Sequence, residues 1–223
     1  RQLSSFHVEM LTILLRTLDL RDRMTARHSA AVARYARETA AAAGFSERDQ
    51  ELVHTAGLLH DIGKFELSDN VLKGNTRLSD EEWATIKKHP ERGAELIVQV
   101  DGYDEVAAIV RAHHERCDGL GYPSGLTGEE IPPLSRIITI ADAYDVMTSR
   151  DSYRRTMSAE EAAAELWREA GSQFDGVLVE AFLAVIQAKG VLYRHGEDAD
   201  FDSELRRRKG FVPPAVSPAR VGG

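Results

Sequence analysis

Histidine and aspartate residues recur along the chain in positions that suit metal coordination. Eight histidines are present, and Asp61 directly follows His60 at the end of an apolar run. Imidazole and carboxylate groups bind borderline divalent ions such as iron, manganese, zinc and nickel. A carboxylate can bridge two ions through its two oxygens, which a single imidazole cannot do. The candidate ligands are too many for one ion and suit two ions that share Asp61: His28, His60, Asp61, His89, His113, His114 and Asp142.

Other histidines have a simpler interpretation as packing or surface residues, and His7, His54 and His195 are assigned to that class. The adjacent pair His113–His114 would be weak support for a metal site by itself. The metal interpretation depends on the combination of the pair with the His60–Asp61 doublet and the remaining candidates.

The chain resembles the HD-GYP family, a branch of the HD metal-dependent phosphohydrolases, from about Leu14 to Lys189. The motifs are long and occur in the family's order. They are His28-Ser29, His60-Asp61-Ile62-Gly63-Lys64, Lys88-His89-Pro90, the run His113-His114-Glu115-Arg116-Cys117-Asp118-Gly119-Leu120-Gly121-Tyr122-Pro123, and Ala141-Asp142-Ala143-Tyr144-Asp145.

This resemblance implies an all-α fold, an HD-domain-like helical bundle with an extended HD-GYP C-terminal helical part and a Gly/Pro-rich active-site loop. It also implies hydrolysis of cyclic di-GMP to linear pGpG or on to GMP. The cofactors would be two divalent metal ions, with iron favoured, manganese next, and nickel or zinc as further options. Carried over to this sequence, one ion would take His28, His60, Asp61 and Asp142, and the other Asp61, His89, His113 and His114.

The resemblance makes Asp61 and Lys64 the catalytic residues. A water bridging the two ions would become hydroxide near neutral pH and attack the phosphorus. The leaving ribose 3′-oxygen needs a proton, for which Lys64 is the first candidate and a metal-bound water the alternative. Tyr122 is expected to stack on a guanine or to bond a phosphate, and the alternative is that the Gly121-Tyr122-Pro123 triplet only shapes the loop. The expected substrate contacts are Lys64, Gly119, Gly121, Tyr122, Pro123, Arg150 and Arg154.

Two positions depart from the family pattern. Met24 stands where some members have a glutamate that helps to hold a third ion, and a thioether is a poor ligand for hard ions. We therefore expect a binuclear centre. Asp151 stands where the family often has a ligand-binding arginine, so either Arg150 substitutes for it or that contact is lost.

Helical patterns dominate the segments that must position these residues. An alanine-rich stretch predicts a helix over 30–43, with Gly44 as its C-terminal cap. The β-branched run Ile137–Ile140 is assigned to a helix because helical sequence follows it. A loop rich in glycine and proline is predicted over 115–133. Further helices are predicted near 47–60, 80–88, 91–99, 103–114, 134–149, 159–170 and 176–188.

Composition limits the classes that the chain can belong to. The 223 residues carry a net charge of −8, which argues against a broad basic surface for DNA or RNA. The single cysteine excludes an internal disulfide framework and a thiolate zinc cluster. No run of about 18 apolar residues occurs, so no membrane span is expected. A cytoplasmic location is expected, and the catalytic domain is placed at 14–190, followed by a tail over 191–223 that is disordered from about 211.

The N-terminal helix over 1–20 has two interpretations of equal standing. In the first interpretation, its apolar face packs on the domain's own core. In the second, it continues a signalling helix from an upstream sensor or receiver domain and dimerises. Two further functions compete with cyclic di-GMP hydrolysis. One is hydrolysis of another nucleotide. The other is a signalling module that binds the dinucleotide, or a GGDEF-type partner, without turnover.

Overall fold

The computed structural model describes residues 25–72, 78–149 and 156–189, together with residues 13, 16, 17, 201, 203 and 204. Helices follow one another through these ranges, and the described residues form no strand. The all-α prediction is therefore confirmed. The elements are α1 (Thr25–Ala42), α2 (Glu47–Leu59), a 3-10 helix (Ile62–Glu66), α3 (Asp69–Leu72), α4 (Asp80–Ile86), α5 (His89–Ile97), α6 (Asp104–Arg111), a second 3-10 helix (Gly128–Glu130), α7 (Pro133–Thr148), α8 (Ala159–Arg168) and α9 (Gly176–Lys189).

Local sequence signals set several of these helix ends. Ser79 and Ser158 each form a capping box with the glutamate three residues later. Gly44 ends α1 in a left-handed conformation (φ 80°), which lets Phe45 N donate to Ala40 O at 3.0 Å. The predicted cap at Gly44 is confirmed, as is the helical assignment of Ile137–Ile140 within α7.

Some boundaries differ from the prediction, and one difference matters for the site. The helix predicted over 103–114 ends at Arg111, because Ala112 leaves the helical region (φ −103°, ψ 9°). His113 and His114 therefore project from the chain just beyond α6 rather than from its surface. The 3-10 helix Ile62–Glu66 and the short α3 were not predicted, because each is too brief to show a helical period.

The core lies where α1 packs against α2, α7 and α9. Its centre is a cluster of the buried rings Tyr35, Tyr144 and Phe182, with ring centroids 5.1–5.7 Å apart. At the crossing of α1 and α2, a Cβ on Gly57 would lie 2.7 Å from Ala33 Cα. Only glycine permits this close approach, which brings the ends of the two helices that carry His28 and His60 together.

Several predicted segments fall largely outside the described residues. Of the N-terminal helix over 1–20, only residues 13, 16 and 17 are described, and its two interpretations stay open. The domain limits also stay predictions. Beyond residue 190, Phe201 and Glu204 are buried against the helices.

Among the described helices, none combines the length and the apolar character needed to cross a lipid bilayer.

Candidate metal centre

All seven predicted ligands converge on one place in the fold. His28 lies on α1, His60 and Asp61 directly follow α2, and His89 begins α5. His113 and His114 follow α6, and Asp142 lies in the middle of α7. Five of the seven are buried, whereas His114 and Asp142 are half-buried. The sequence prediction of these residues as neighbours agrees with the structure, while their role as ligands stays a proposal.

The ligand atoms form overlapping groups in which every atom lies within 4.8 Å of the others. Asp61 stands between two of these groups. Its Oδ2 is 3.4 Å from His60 Nε2, and its Oδ1 is 3.3 Å from His89 Nε2. The two oxygens of one carboxylate thus face opposite sides, as a bridge between two ions requires. The groups are His28, His60 and Asp142; His60, Asp61 and His113; and His89, His113 and His114.

Hydrogen bonds fix the orientation of the histidine rings. The Nδ1 atoms of His60, His89 and His113 lie 2.8, 2.8 and 2.6 Å from the backbone oxygens of Gly57, Ile86 and Val110. Because a carbonyl oxygen only accepts, each Nδ1 carries the proton and donates it. Burial lowers the pKa of His60 and His113, so the Nε2 of each is left as a lone pair, which is the tautomer that metal ligation uses.

Asp145 completes this pattern, although the sequence analysis assigned it no role. Its Oδ2 is 2.7 Å from His28 Nδ1, while Asp142 Oδ1 is 3.2 Å from His28 Nε2. Asp145 is 2% exposed. The sequence did hold a signal, because residues three apart on a helix share a face. Asp142 and Asp145 satisfy that spacing.

Burial and neighbouring charges set the protonation of the centre. Burial lowers the pKa of His60, His113 and His114, the last to about 3, so these rings are neutral. Burial would raise the pKa of Asp61, but the Lys64 ammonium and His60 hold it well below its usual range. Burial would lower the pKa of His28, but hydrogen bonds with Asp142 and Asp145 raise it to about 10. Without a metal ion, His28 therefore carries the positive charge between two carboxylates.

This donor set fits divalent cations. His89 Nε2 and His113 Nε2 are 3.2 Å apart, and the His113 Nε2 is a lone pair because burial lowers the pKa of that ring. His60 Nε2 is buried and has no hydrogen-bond partner among the described residues. Buried acceptors that face one another without a donor are costly. A cation between them would remove that cost, which supports the interpretation of the cluster as a metal centre.

Lys64 lies at the edge of the centre. It belongs to the first 3-10 helix, is half-buried, and its Nζ is 2.7 Å from Asp61 Oδ2. The backbone packing around Gly63 explains why this position is glycine. A Cβ at Gly63 would lie 2.0 Å from His89 O and 2.6 Å from Gly93 N. Glycine therefore lets the 3-10 helix contact α5 and brings Asp61 to His89.

The glycine-rich loop forms one wall of the opening. The Tyr122 ring lies 4.9 Å from the His114 ring, and Lys87 Nζ lies 5.8 Å from the Tyr122 ring centroid. Gly121 has no room for a side chain, since a Cβ would be 2.4 Å from Arg116 N. Gly119 has φ 77° and lies against Thr127. The predicted Tyr122 and Pro123 thus stand beside the centre, joined by a cis peptide bond.

Glu115 holds this loop, and the sequence analysis assigned it no role. The carboxylate is 2% exposed and accepts hydrogen bonds from Ser124 N at 2.6 Å and Leu126 N at 3.0 Å. Asp118 also orders the loop, since it accepts from Leu120 N and pairs with Arg116. No hydrophobic period marks such a role for Glu115. Its position next to His113–His114 was the only hint.

Six positions discussed in the sequence analysis lie outside the described residues: His7, Met24, Arg150, Asp151, Arg154 and His195. The binuclear prediction from Met24 and the substrate contacts expected of Arg150 and Arg154 therefore stay predictions.

Comparison with known proteins assigns the family. The family described as "HD domain" matches residues 12–178. The chain belongs to the HD domain family. This agrees with the resemblance found in the sequence, and HD-domain phosphohydrolases are metal-dependent, as the His/Asp cluster suggests.

Two curated relatives carry activity names. The cyclic di-GMP phosphodiesterase response regulator RpfG of Xanthomonas campestris is 35% identical over 177 residues, covering 78% of this chain and 47% of the relative. The 3'3'-cGAMP-specific phosphodiesterase 2 of Vibrio cholerae is 34% identical over 180 residues, covering 78% of this chain and 34% of the relative. The chain thus spans less than half the length of these two relatives.

A solved structure agrees on the fold. The HDG"Y"P protein Bd1817 of Bdellovibrio bacteriovorus superposes with a TM-score of 0.62 at 21% identity, covering 82% of this chain and 62% of that one. The HD family's helical architecture is thereby confirmed for this chain.

Proposed function

We propose that this chain is the catalytic domain of a phosphodiesterase that hydrolyses cyclic di-GMP to linear pGpG or on to GMP. One observation carries the proposal. Asp61 presents one oxygen to His60 and the other to His89, between two groups of buried ligand atoms. The name of the Xanthomonas relative supports the choice of substrate.

Two divalent ions would be held by the chain's own residues. His28, His60, Asp61 and Asp142 would hold one, and Asp61, His89, His113 and His114 the other. When bound, such ions lower the pKa of coordinated water and offset negative charge on a phosphodiester. The preference for iron over manganese, nickel or zinc rests on family resemblance alone.

Lys64 would act on the leaving group. In the metal-free protein its ammonium pairs with Asp61 Oδ2. With cations bound to Asp61, its hold on the ammonium would weaken, and Lys64 could turn to a phosphate oxygen. From that place it would donate a proton to the ribose 3′-oxygen. General acid catalysis of this kind contributes about 10²–10⁴-fold to a rate.

Tyr122 and the glycine-rich loop would hold the dinucleotide over the centre. Burial raises the pKa of Tyr122, with Asp142 and Asp61 adding to the shift, so its hydroxyl keeps its proton and can donate to phosphate. Stacking of its ring on a guanine remains the alternative. Gly119, Gly121 and Pro123 are proposed as ligand contacts by family resemblance, although the two glycines owe their missing side chains to packing within the loop. Arg154 is proposed as a further phosphate or guanine contact by family resemblance, and Arg150 as a substitute for the arginine that the family often has at the position of Asp151.

The test is turnover of cyclic di-GMP by protein purified without oxygen and supplied with Fe²⁺ or Mn²⁺, with products separated by chromatography. Lys64→Gln should lower kcat by about 10²-fold, since it removes the proton donor but no ligand. Glu105→Gln is the matched control, because the exposed Arg48–Glu105 pair lies outside the centre. Wild-type protein that binds metal but releases neither pGpG nor GMP would refute the proposal.

A second substrate is favoured by one comparison. The Vibrio relative named for 3'3'-cGAMP is 34% identical to this chain, close to the 35% of RpfG. Asp151 also departs from the family's arginine. Competition between equal concentrations of cyclic di-GMP and 3'3'-cGAMP measures the preference directly. A larger kcat/KM for cGAMP would move the assignment to that substrate. Saturable binding without turnover would instead indicate a signalling module.

A further inference from the structure

A carboxylate from the far C-terminal part of the chain is buried between α1 and α2. Glu204 is 2% exposed. Its Oε1 accepts from Arg34 Nε on α1, and its Oε2 accepts from His54 Nε2 on α2 at 2.9 Å. Phe201, three residues earlier, is 9% exposed and belongs to the main apolar core. The matched family segment ends at residue 178, so these contacts lie outside it.

The carboxylate is ionised in this position. Burial would raise the pKa of Glu204, but hydrogen bonds with His54 and Arg34 lower it to about 2. His54 is fully buried, and its Nδ1 has no hydrogen-bond partner among the described residues. Its ring is therefore oriented by Glu204 through Nε2. A buried ion is tolerated only where partners compensate for lost hydration, so the three groups depend on one another.

Glu204 contacts the same helix pair that supplies two candidate ligands. Helices α1 and α2 run antiparallel, and three contacts fix which residues lie opposite one another. The opposed residues are Arg34 and His54, Ala33 and Gly57, and His28 and His60. His28 and His60 are each six residues from the level of Glu204, or about 9 Å along a helix that rises 1.5 Å per residue. If α1 moved relative to α2 near Glu204, the distance between the His28 and His60 imidazoles would also change. Their ring centroids are 5.2 Å apart.

We infer that Glu204 is a positioning residue for the metal centre. By joining Arg34 to His54 it fixes the register of α1 and α2, and so holds His28 and His60 at the separation that an ion needs. The inference rests on the metal centre of the proposed function. It assigns a task to the polypeptide beyond α9, and it gives His54 a role apart from ligation.

The experiment measures metal affinity of the full chain instead of activity. Metal-free wild type, Glu204→Gln and Glu105→Gln are titrated with Mn²⁺ by calorimetry, and the visible absorption of Co²⁺ is recorded for each. The first variant keeps the shape of the side chain and removes the charge. The second removes a carboxylate that pairs with an arginine of α2 on the exposed surface.

Glu204→Gln should weaken Mn²⁺ binding about tenfold, the lower end of the effect of residues that orient ligands. Its Co²⁺ absorption bands should shift, and Glu105→Gln should stay within about twofold of wild type. Mn²⁺ affinity and Co²⁺ bands equal to wild type, with only a lower melting temperature, would overturn the inference. Glu204 would then stabilise the fold without positioning a ligand.

A second measurement covers the case in which Glu204→Gln does not fold. Coupling between two sites is reciprocal, so metal binding must also tighten the Glu204 contacts. Hydrogen exchange of wild-type peptides that contain residues 201–204 should slow on addition of Mn²⁺, and unchanged exchange would refute the coupling. Wild type that binds no Mn²⁺ would remove the metal centre itself. Equal Mn²⁺ affinities of wild type and Glu204→Gln would refute only the positioning role of Glu204 and would leave the metal centre standing.

Discussion

Replacing Gly63 by alanine should disrupt the metal centre without changing any ligand. The new Cβ would lie 2.0 Å from His89 O and 2.6 Å from Gly93 N, and both are backbone atoms that cannot rotate away. The 3-10 helix must therefore move away from α5. Asp61 precedes this helix and His89 begins α5, so the 3.3 Å separation between Asp61 Oδ1 and His89 Nε2 should increase.

The magnitude follows from the size of the clash. Overpacking a core by one methyl group costs about 1–3 kcal/mol, and a Cβ held against backbone atoms belongs at the upper end. At about 2–4 °C per kcal/mol for a chain of this size, the melting temperature should fall by about 6–12 °C. Because the displaced segment carries the shared carboxylate, Mn²⁺ affinity should fall at least tenfold, which corresponds to about 1.4 kcal/mol.

Differential scanning fluorimetry with and without Mn²⁺, together with calorimetric titration, measures both effects. Gly44→Ala is the control, because the new Cβ would meet no atom within 4 Å and Gly44 lies sixteen residues from His28. Its positive φ should cost about 1–2 kcal/mol of stability with no change in metal affinity. If Gly63→Ala kept wild-type Mn²⁺ affinity, the close contact would not position Asp61, and the account of this glycine would be wrong.

Three further predictions concern residues around the ligands. Asp145→Asn should weaken Mn²⁺ binding about 10–100-fold, since the carboxylate orients His28; calorimetry measures this. Glu115→Gln should raise KM for cyclic di-GMP about fivefold or more without changing the metal count, because one charged acceptor costs about 1.5–3 kcal/mol when lost. Below about pH 10, Mn²⁺ binding should release the proton of His28, so affinity should rise with pH by up to about tenfold per unit. Titration in buffers of different ionisation enthalpy counts that proton.

Each of these predictions has a contradicting result. Wild-type Mn²⁺ affinity in Asp145→Asn would show that the hydrogen bond to His28 does not tune ligation. An unchanged KM in Glu115→Gln would show that the hydrogen bonds by which Glu115 holds the loop do not affect substrate binding. Metal affinity independent of pH between about 6 and 9 would show that His28 is not protonated in the metal-free state.

Much of the site could be predicted from sequence because its residues have distinctive chemistry. The His60–Asp61 doublet, the His113–His114 pair and Asp142 were identified by type and by family order, and the structure brings them together. Helix existence was also predictable, since capping residues such as Ser79 and Ser158 act within one turn of their own helix. In each capping interaction, the two residues that contact one another lie within a few positions in the sequence, so a local sequence pattern reveals them.

The missed features depend on residues that are distant in sequence or on backbone proximity. Nothing local indicates that Glu204 would reach Arg34 and His54, which precede it by 170 and 150 residues. Gly57 and Gly63 resemble ordinary helix glycines until the facing backbone is known. No breaker residue marks the early end of α6 at Arg111, because Ala112 is itself a good helix former.

Two ions that share Asp61 are what would make this chain a phosphodiesterase. The most direct measurement is metal content per chain, taken alongside products from cyclic di-GMP, for wild type and for the His60→Ala/Asp61→Ala double variant. The account predicts about two ions per wild-type chain with pGpG or GMP formed, and neither full loading nor product in the variant. One ion per active wild-type chain, or turnover retained by the double variant, would contradict it.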